Sequence, residues 1–266
     1  MQAPDPTARD LADLTLLAEA AREAGRVALQ YTGPTARAWD KPGNLGPVTE
    51  ADMAVNEMLE RELRGARPDY GWLSEESTDS EARLHRDRVF IVDPIDGTRS
   101  FIEGSGSWAH SLAVAERGEV VAAVVYLPVK GKLYAAARGQ GARINNRPMR
   151  ASERDSLDGA TLLAAKPAWD PQHWRGAVPQ LIRHYRPSLA YRLSLVAEGR
   201  FDAMLTLRDS WEWDIAAGDL ILREAGATTS DRRGGTLRFN NPHPQVKGVV
   251  ASAPGLHAAL LSALTP

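Results

Sequence analysis

The stretch Val89-Phe90-Ile91-Val92-Asp93-Pro94-Ile95-Asp96-Gly97-Thr98 constrains this chain more than any other. Four consecutive apolar residues, two of them Val, suit a strand covered on both faces, which commits the chain to a sheet buried between layers. Pro94 brings no N–H to a central ladder, so the strand is expected to end at Asp93. Asp93 and Asp96 then emerge from one turn, with Gly97 free to take positive φ and Thr98 offering a hydroxyl. Carboxylates held that close repel and raise one another's pKa unless a cation lies between them. Oxygen ligands of this kind suit a hard divalent ion such as magnesium. Taken alone, the same string also reads as an Asp-Pro turn followed by an Asp-Gly turn, ordinary punctuation between a strand and a helix.

With 266 residues, 43% hydrophobic and 25% charged, the chain has material for one large or two small domains. A net charge of −2 gives no broad footprint for nucleic acid or an anionic membrane, so any phosphate recognition has to be local. Without cysteine there is no disulfide, zinc-thiolate site or cysteine nucleophile. Met1 to Asp10 has neither a basic start nor an apolar run, and no later run is long enough to cross a bilayer. A soluble, cytoplasmic protein without a membrane segment is expected.

Apolar residues recurring at three- and four-residue intervals predict a long helix from Thr7 to about Gln30, stopped by Thr32-Gly33-Pro34. Trp39 to Pro47 reads as a loop. A second helix is expected from about Thr49 to Arg64, with Asp52 in its first turn, where an acidic residue also suits the helix dipole. Ser111–Glu116 and Val120–Tyr126, joined at Arg117-Gly118-Glu119, predict an antiparallel hairpin, and Leu133–Ala137 and Ala142–Asn145 supply further strands. The polar stretch from Ala151 to Gly159 marks a boundary between an N-terminal α+β domain, 1–155, and a C-terminal α/β domain, 156–266. Beyond it the pattern predicts a strand at Ala160–Ala165, helices at His173–His184 and Ala190–Glu198, and a strand at Phe201–Leu207. A helix over Trp213–Ala225, headed by Asp214, and a last strand and helix follow. His110, His173 and His243 share no metal-ligand spacing and read as surface or loop residues.

Asp93-Pro94-Ile95-Asp96-Gly97-Thr98 followed by Phe101 resembles the signature of the lithium-sensitive, magnesium-dependent phosphatases of the inositol monophosphatase superfamily. Pro47-Val48-Thr49-Glu50-Ala51-Asp52, Leu73-Ser74-Glu75-Glu76-Ser77 and Trp213-Asp214-Ile215-Ala216-Ala217-Gly218 match further motifs in the family's order and together span most of the chain. The resemblance implies the layered α-β-α-β-α sandwich of the inositol monophosphatase/fructose-1,6-bisphosphatase type. It also implies two or three Mg²⁺ ions, held by Glu75, Asp93, the Ile95 carbonyl, Asp96 and Asp214. In this scheme Asp52 and Thr98 aim the attacking water, and the backbone N–H groups of Gly97 and Thr98 hold phosphate oxygens.

Ser188-Leu189-Ala190-Tyr191-Arg192 through Gly199, with Glu212-Trp213-Asp214, looks most like the bisphosphate nucleotidase branch, which removes the 3′-phosphate of adenosine 3′,5′-bisphosphate. Arg192 matches that branch's basic residue, expected to meet a second phosphate. Lys166 and Arg208 are further candidates, each also readable as an ordinary solvated cation. Pro187-Ser188-Leu189-Ala190 and Ser100 depart from the branch's usual residues. Inositol or another polyol monophosphate is the alternative substrate, with Glu212 available to accept polyol hydroxyls. A member that acts through a protein partner, as one bacterial relative does with the transcription machinery, is the alternative of another class. The ester is expected as the small-molecule partner, nucleic acid is not, and a homodimer fits the commonest soluble symmetry.

Overall fold

A computed structural model describes residues 6–31, 36–44 and 46–265. Helix α1 (Pro6–Ala28) is followed by β1 (Ala38–Asp40) and β2 (Pro47–Thr49), a two-stranded antiparallel ribbon, and by α2 (Glu50–Ala66). The expected stop at Thr32-Gly33-Pro34 lies outside the described residues. Then come β3 (Gly71–Ser74), β4 (Arg88–Asp96), the short α3 (Thr98–Ile102), β5 (Ala109–Glu116), β6 (Glu119–Leu127), β7 (Lys132–Ala137), β8 (Ala142–Ile144) and β9 (Arg147–Pro148). These seven strands form one sheet in chain order, parallel only between β3 and β4. The hairpin turn joining β5 to β6 uses Arg117 at φ 50° and Gly118 at φ 86°, the left-handed pair that matches the strands' own twist.

The second half contributes β10 (Thr161–Ala164), β11 (Ile182–His184), α4 (Leu189–Ala197), β12 (Ala203–Thr206), β13 (Ser210–Trp211) and α5 (Glu212–Glu224). It ends with β14 (Thr228–Ser230), β15 (Gln245–Val246), β16 (Val249–Ser252) and α6 (Pro254–Ala263). Five of these strands make a mixed sheet in the order β11-β10-β12-β16-β14.

The layering follows from which faces are apolar. Leu17, Ala21 and Ala24 of α1 and Val55, Leu59 and Leu63 of α2 pack on Phe90, Val92, Leu112 and Val124 of the large sheet. The opposite face of that sheet meets α4 and α5, whose Leu193, Leu195, Ile215 and Leu220 are covered on the far side by Leu163, Met204 and Ala251 of the small sheet. Leu256 and Leu260 of α6 close the outer face against Leu162, Leu205 and Val250. The α-β-α-β-α sandwich expected from the resemblance is the fold observed. The middle core joins side chains from both sides of residue 155, because α4 and α5 are sandwiched between the sheets.

Three local expectations are corrected. The strand does not end at Asp93: β4 runs to Asp96, and Pro94 sits in a bulge between the Asp93–Ser111 and Asp96–Ala109 pairs. No helix covers 173–184. Pro179 would break its ladder and Gly176 takes φ 92°, so the chain makes a single 3₁₀ turn at Pro171–His173 and later enters the sheet as β11. His110 is neither a surface nor a loop residue; it lies fully buried on β5.

Candidate metal centre

The loop after β3, the bulge of β4 and the first turn of α5 converge on one cavity of about 500 Å³. Glu75, Asp93, Ile95, Asp96, Gly97, Thr98 and Asp214 all line it. One carboxylate oxygen from each of Glu75, Asp93 and Asp214 lies within 4.8 Å of the other two. Asp93 is 1% exposed and its pKa is raised well above the usual range, first by burial and then by the charges of Glu75, Asp96 and Asp214. Burial and the charges of Asp96 and Glu75 raise Asp214 in the same way. A protein gains nothing in stability from gathering three carboxylates around a buried Asp93, so this donor set fits a divalent cation bound by oxygen.

The bulge sets the aim of these groups. Asp93 Oδ1 accepts from Ile95 N–H at 2.9 Å, which turns the Ile95 carbonyl toward Thr98, whose Oγ1 lies 3.2 Å away. Gly97 takes φ 101° as N-cap of α3, and a Cβ there would lie 3.3 Å from Ser107 O and 3.4 Å from Ser188 Cβ. Only Gly meets both conditions without strain. Asp96 does not join the three-carboxylate group: its Oδ2 accepts from Ser188 Oγ and from Ala190 N–H, each at 2.6 Å, so this oxygen anchors α4. Burial pushes Asp96 up to about 6 despite these donors.

Asp52 closes a capping box at the start of α2: its Oδ2 accepts from Thr49 N–H at 2.8 Å, and its own N–H meets Thr49 Oγ1 at 3.3 Å. Asp52 Oδ1 faces Thr98 Oγ1 at 3.4 Å, so cap and candidate water-aiming pair are one unit. Burial raises Asp52 to about 6, leaving it mainly ionised at neutral pH.

The other predicted residues have different surroundings. Arg192 is 6% exposed; its Nε donates to Arg186 O and its Nη2 to Pro187 O at 3.2 Å, with the guanidinium 4.6 Å from the Tyr185 ring centre. It lines a neighbouring cavity of about 450 Å³. Glu212 is fully buried and lines neither cavity. Its carboxylate accepts from the N–H groups of Asn240 and Asn241 and from Asn241 Nδ2, so it pins the 240–241 loop and is not free to accept from a polyol. Lys166 is exposed on a 3₁₀ turn and lines neither cavity, whereas Arg208 lines both.

Lys41 was not anticipated. Its Nζ reaches from the segment between β1 and β2 to Glu75 Oε1 at 2.7 Å and Glu76 Oε1 at 2.5 Å. Burial works against this ammonium, but the two carboxylates outweigh it and raise its pKa. The available signal was a lysine in a Pro/Gly-rich loop just ahead of the Pro47–Asp52 motif. Tyr185 and Arg99, which line both cavities, carried no signal of their own.

The family model described as inositol monophosphatase family matches residues 10–265. The chain belongs to the inositol monophosphatase family. Phosphatase chemistry in this family depends on metal, and the carboxylate cluster fits that requirement. An inositol-1-monophosphatase of Mesorhizobium japonicum is 34% identical over 270 residues, covering 94% of this chain and 95% of its own. The Nus factor SuhB of Salmonella typhimurium is 32% identical over 94% of each chain. Among solved structures, the IMPase of Thermotoga maritima superposes with a TM-score of 0.80 at 28% identity, covering 95% of this chain and 96% of that one. Among the described residues no helix is long and apolar enough to cross a membrane.

Proposed function

We propose that this member of the family hydrolyses the monophosphate ester of a small polyol, with inositol 1-phosphate as the representative, in a magnesium-dependent reaction. The observation that carries the hydrolytic reading is the convergence of Glu75, Asp93 and Asp214 on one cavity that also receives Thr98, itself facing Asp52. Divalent cations held by these carboxylates, with Asp96 and the Ile95 carbonyl as further ligands, would neutralise phosphoryl charge and acidify a water. Thr98 and Asp52 would orient that water, the Thr98 hydroxyl accepting its proton while passing its own to Asp52. Gly97 and Thr98 offer backbone N–H groups to the phosphate at the mouth of the same cavity. The polyol assignment is supported by the inositol-1-monophosphatase relatives. The complete carboxylate set favours a hydrolase over a member acting only through a partner.

A second reading has its own observation. Arg99 and Arg208, whose side chains have no carboxylate partner among the described ion pairs, line both cavities together with Tyr185. Trp211 and Trp213 stack at 4.7 Å beside them. Cations and flat rings next to the phosphate site suit a substrate with a second phosphate and a base, such as adenosine 3′,5′-bisphosphate. With Glu212 engaged elsewhere, the polyol reading loses the acceptor first assigned to it.

Phosphate release from inositol 1-phosphate and adenosine 3′,5′-bisphosphate, measured in parallel with magnesium and with Asp93→Asn as the blank, tests both. Preference for the inositol ester supports the first reading. Preference for the nucleotide, lost on Arg208→Gln, supports the second. Silence on both, with a folded protein, would leave the partner-binding alternative.

A further inference from the structure

The bulge that shapes the metal centre sets two residues of β4, Pro94 and Ile95, opposite a single residue of β5, His110. Ladder bonding is interrupted there, and the carbonyl of Pro94 is met instead by a side chain: His110 Nδ1 hydrogen-bonds to it. The ring is fully buried, edge-on to Trp108 at 5.4 Å and tilted against Tyr126 at 6.3 Å between centroids. Because a carbonyl only accepts, Nδ1 carries the proton, and in the neutral ring Nε2 is left as a bare acceptor. Nε2 is buried and has no hydrogen-bond partner among the described residues.

An unsatisfied buried nitrogen costs stability, and an apolar side chain would fill this aromatic niche without that cost. The gain therefore lies in what Nδ1 holds. The Pro94–Ile95 peptide it secures carries the Ile95 N–H that is bonded to Asp93 Oδ1, and it is followed by the Ile95 carbonyl facing Thr98. We infer that His110 is a positioning residue of the metal centre, its Nδ1–H clamping the Pro94 carbonyl and so fixing the bulge from which Asp93, the Ile95 carbonyl and Asp96 project. The inference rests on the reading of those groups as ligands. It gives β5 a part in the site that none of the sequence motifs includes.

The test reads magnesium binding without substrate, as the magnesium concentration giving half of the maximal rise in melting temperature. His110→Asn keeps an N–H donor near the position of Nδ1. His110→Gln carries its amide farther out, toward the position of Nε2, and His110→Leu has none. Outer-sphere partners of metal ligands typically alter metal affinity by about 10- to 100-fold. The Leu and Gln variants are expected to raise the half-point about tenfold or more, and the Asn variant to stay within about twofold of wild type. A Leu variant with the wild-type half-point, or Asn and Gln variants with equal half-points, overturns the inference. If the Leu variant fails to fold, the Asn–Gln comparison decides alone. A wild-type protein unresponsive to magnesium overturns it together with the ligand assignment. Failure to hydrolyse any ester, with the half-points still shifted by His110 variants, would sink the hydrolytic reading and leave this role standing.

Discussion

Asp96 and Ser188, 92 positions apart, are joined by a 2.6 Å hydrogen bond, and the same serine hydroxyl accepts from Tyr191 N–H at 3.0 Å as N-cap of α4. One hydroxyl thus ties a candidate metal ligand of the large sheet to the helix that carries Arg192. Ser188→Ala is expected to remove both the cap and a charge-assisted bond, lowering stability by about 2 kcal/mol. Urea unfolding checks this, and an unchanged midpoint would show that the link is not structural.

Asp93→Asn and Asp96→Asn should keep the fold and lose magnesium-dependent phosphate release by at least about 100-fold. Circular dichroism establishes folding, and turnover at saturating magnesium is the deciding measurement. A folded variant with wild-type turnover would remove that residue from the mechanism.

Magnesium is expected to raise the melting temperature, since an ion at about 100 times its Kd adds about 2.7 kcal/mol to the native state. The effect depends on pH. Burial raises Asp52 and Asp96 to about 6, while burial and the Glu75 charge raise Glu76 to about 7. Carboxylates raised in the folded state bind more protons there than in the unfolded chain. Their contribution is complete below the unfolded pKa of about 4 and fades as pH rises through 6 to 7. Differential scanning calorimetry of metal-free protein should show melting temperature falling over that window, and magnesium should flatten the fall. A metal-free profile that rises through the window would contradict burial as the dominant influence on these carboxylates.

Lys41 acts as an internal counter-ion to Glu75 and Glu76, with 13% of its side chain exposed. Lys41→Met should destabilise the metal-free protein by about 1 kcal/mol and enlarge the magnesium-induced rise in melting temperature, because the cation then relieves a repulsion nothing else offsets. Thermal scans with and without magnesium check both signs. A smaller rise in the variant would instead make Lys41 a helper of metal binding.

Local pattern made much of this protein legible. Three- and four-residue apolar spacing marked α1, α2 and α5. The Arg117-Gly118 turn marked the hairpin, and the Asp93–Thr98 string marked two carboxylates leaving one turn, whereas Asp52, Glu75 and Asp214 were picked out by the family resemblance of their motifs and read locally as ordinary acidic residues of a turn or helix start. The tertiary structure decided which partners those groups meet. Glu212 turned to Asn240 and Asn241 28 and 29 positions on, Lys41 reached Glu75 34 positions away, and Asp96 found Ser188. The same holds for the misread segments: the end of 173–184, Ile182–His184, became an edge strand because its ladder partner, β10, lies elsewhere in the chain, and His110 became a core residue because Pro94 bulges onto it. Periodicity and turn chemistry depend on neighbours a few residues apart, whereas burial, ladder register and the partner of each charge depend on chain closure over tens of residues.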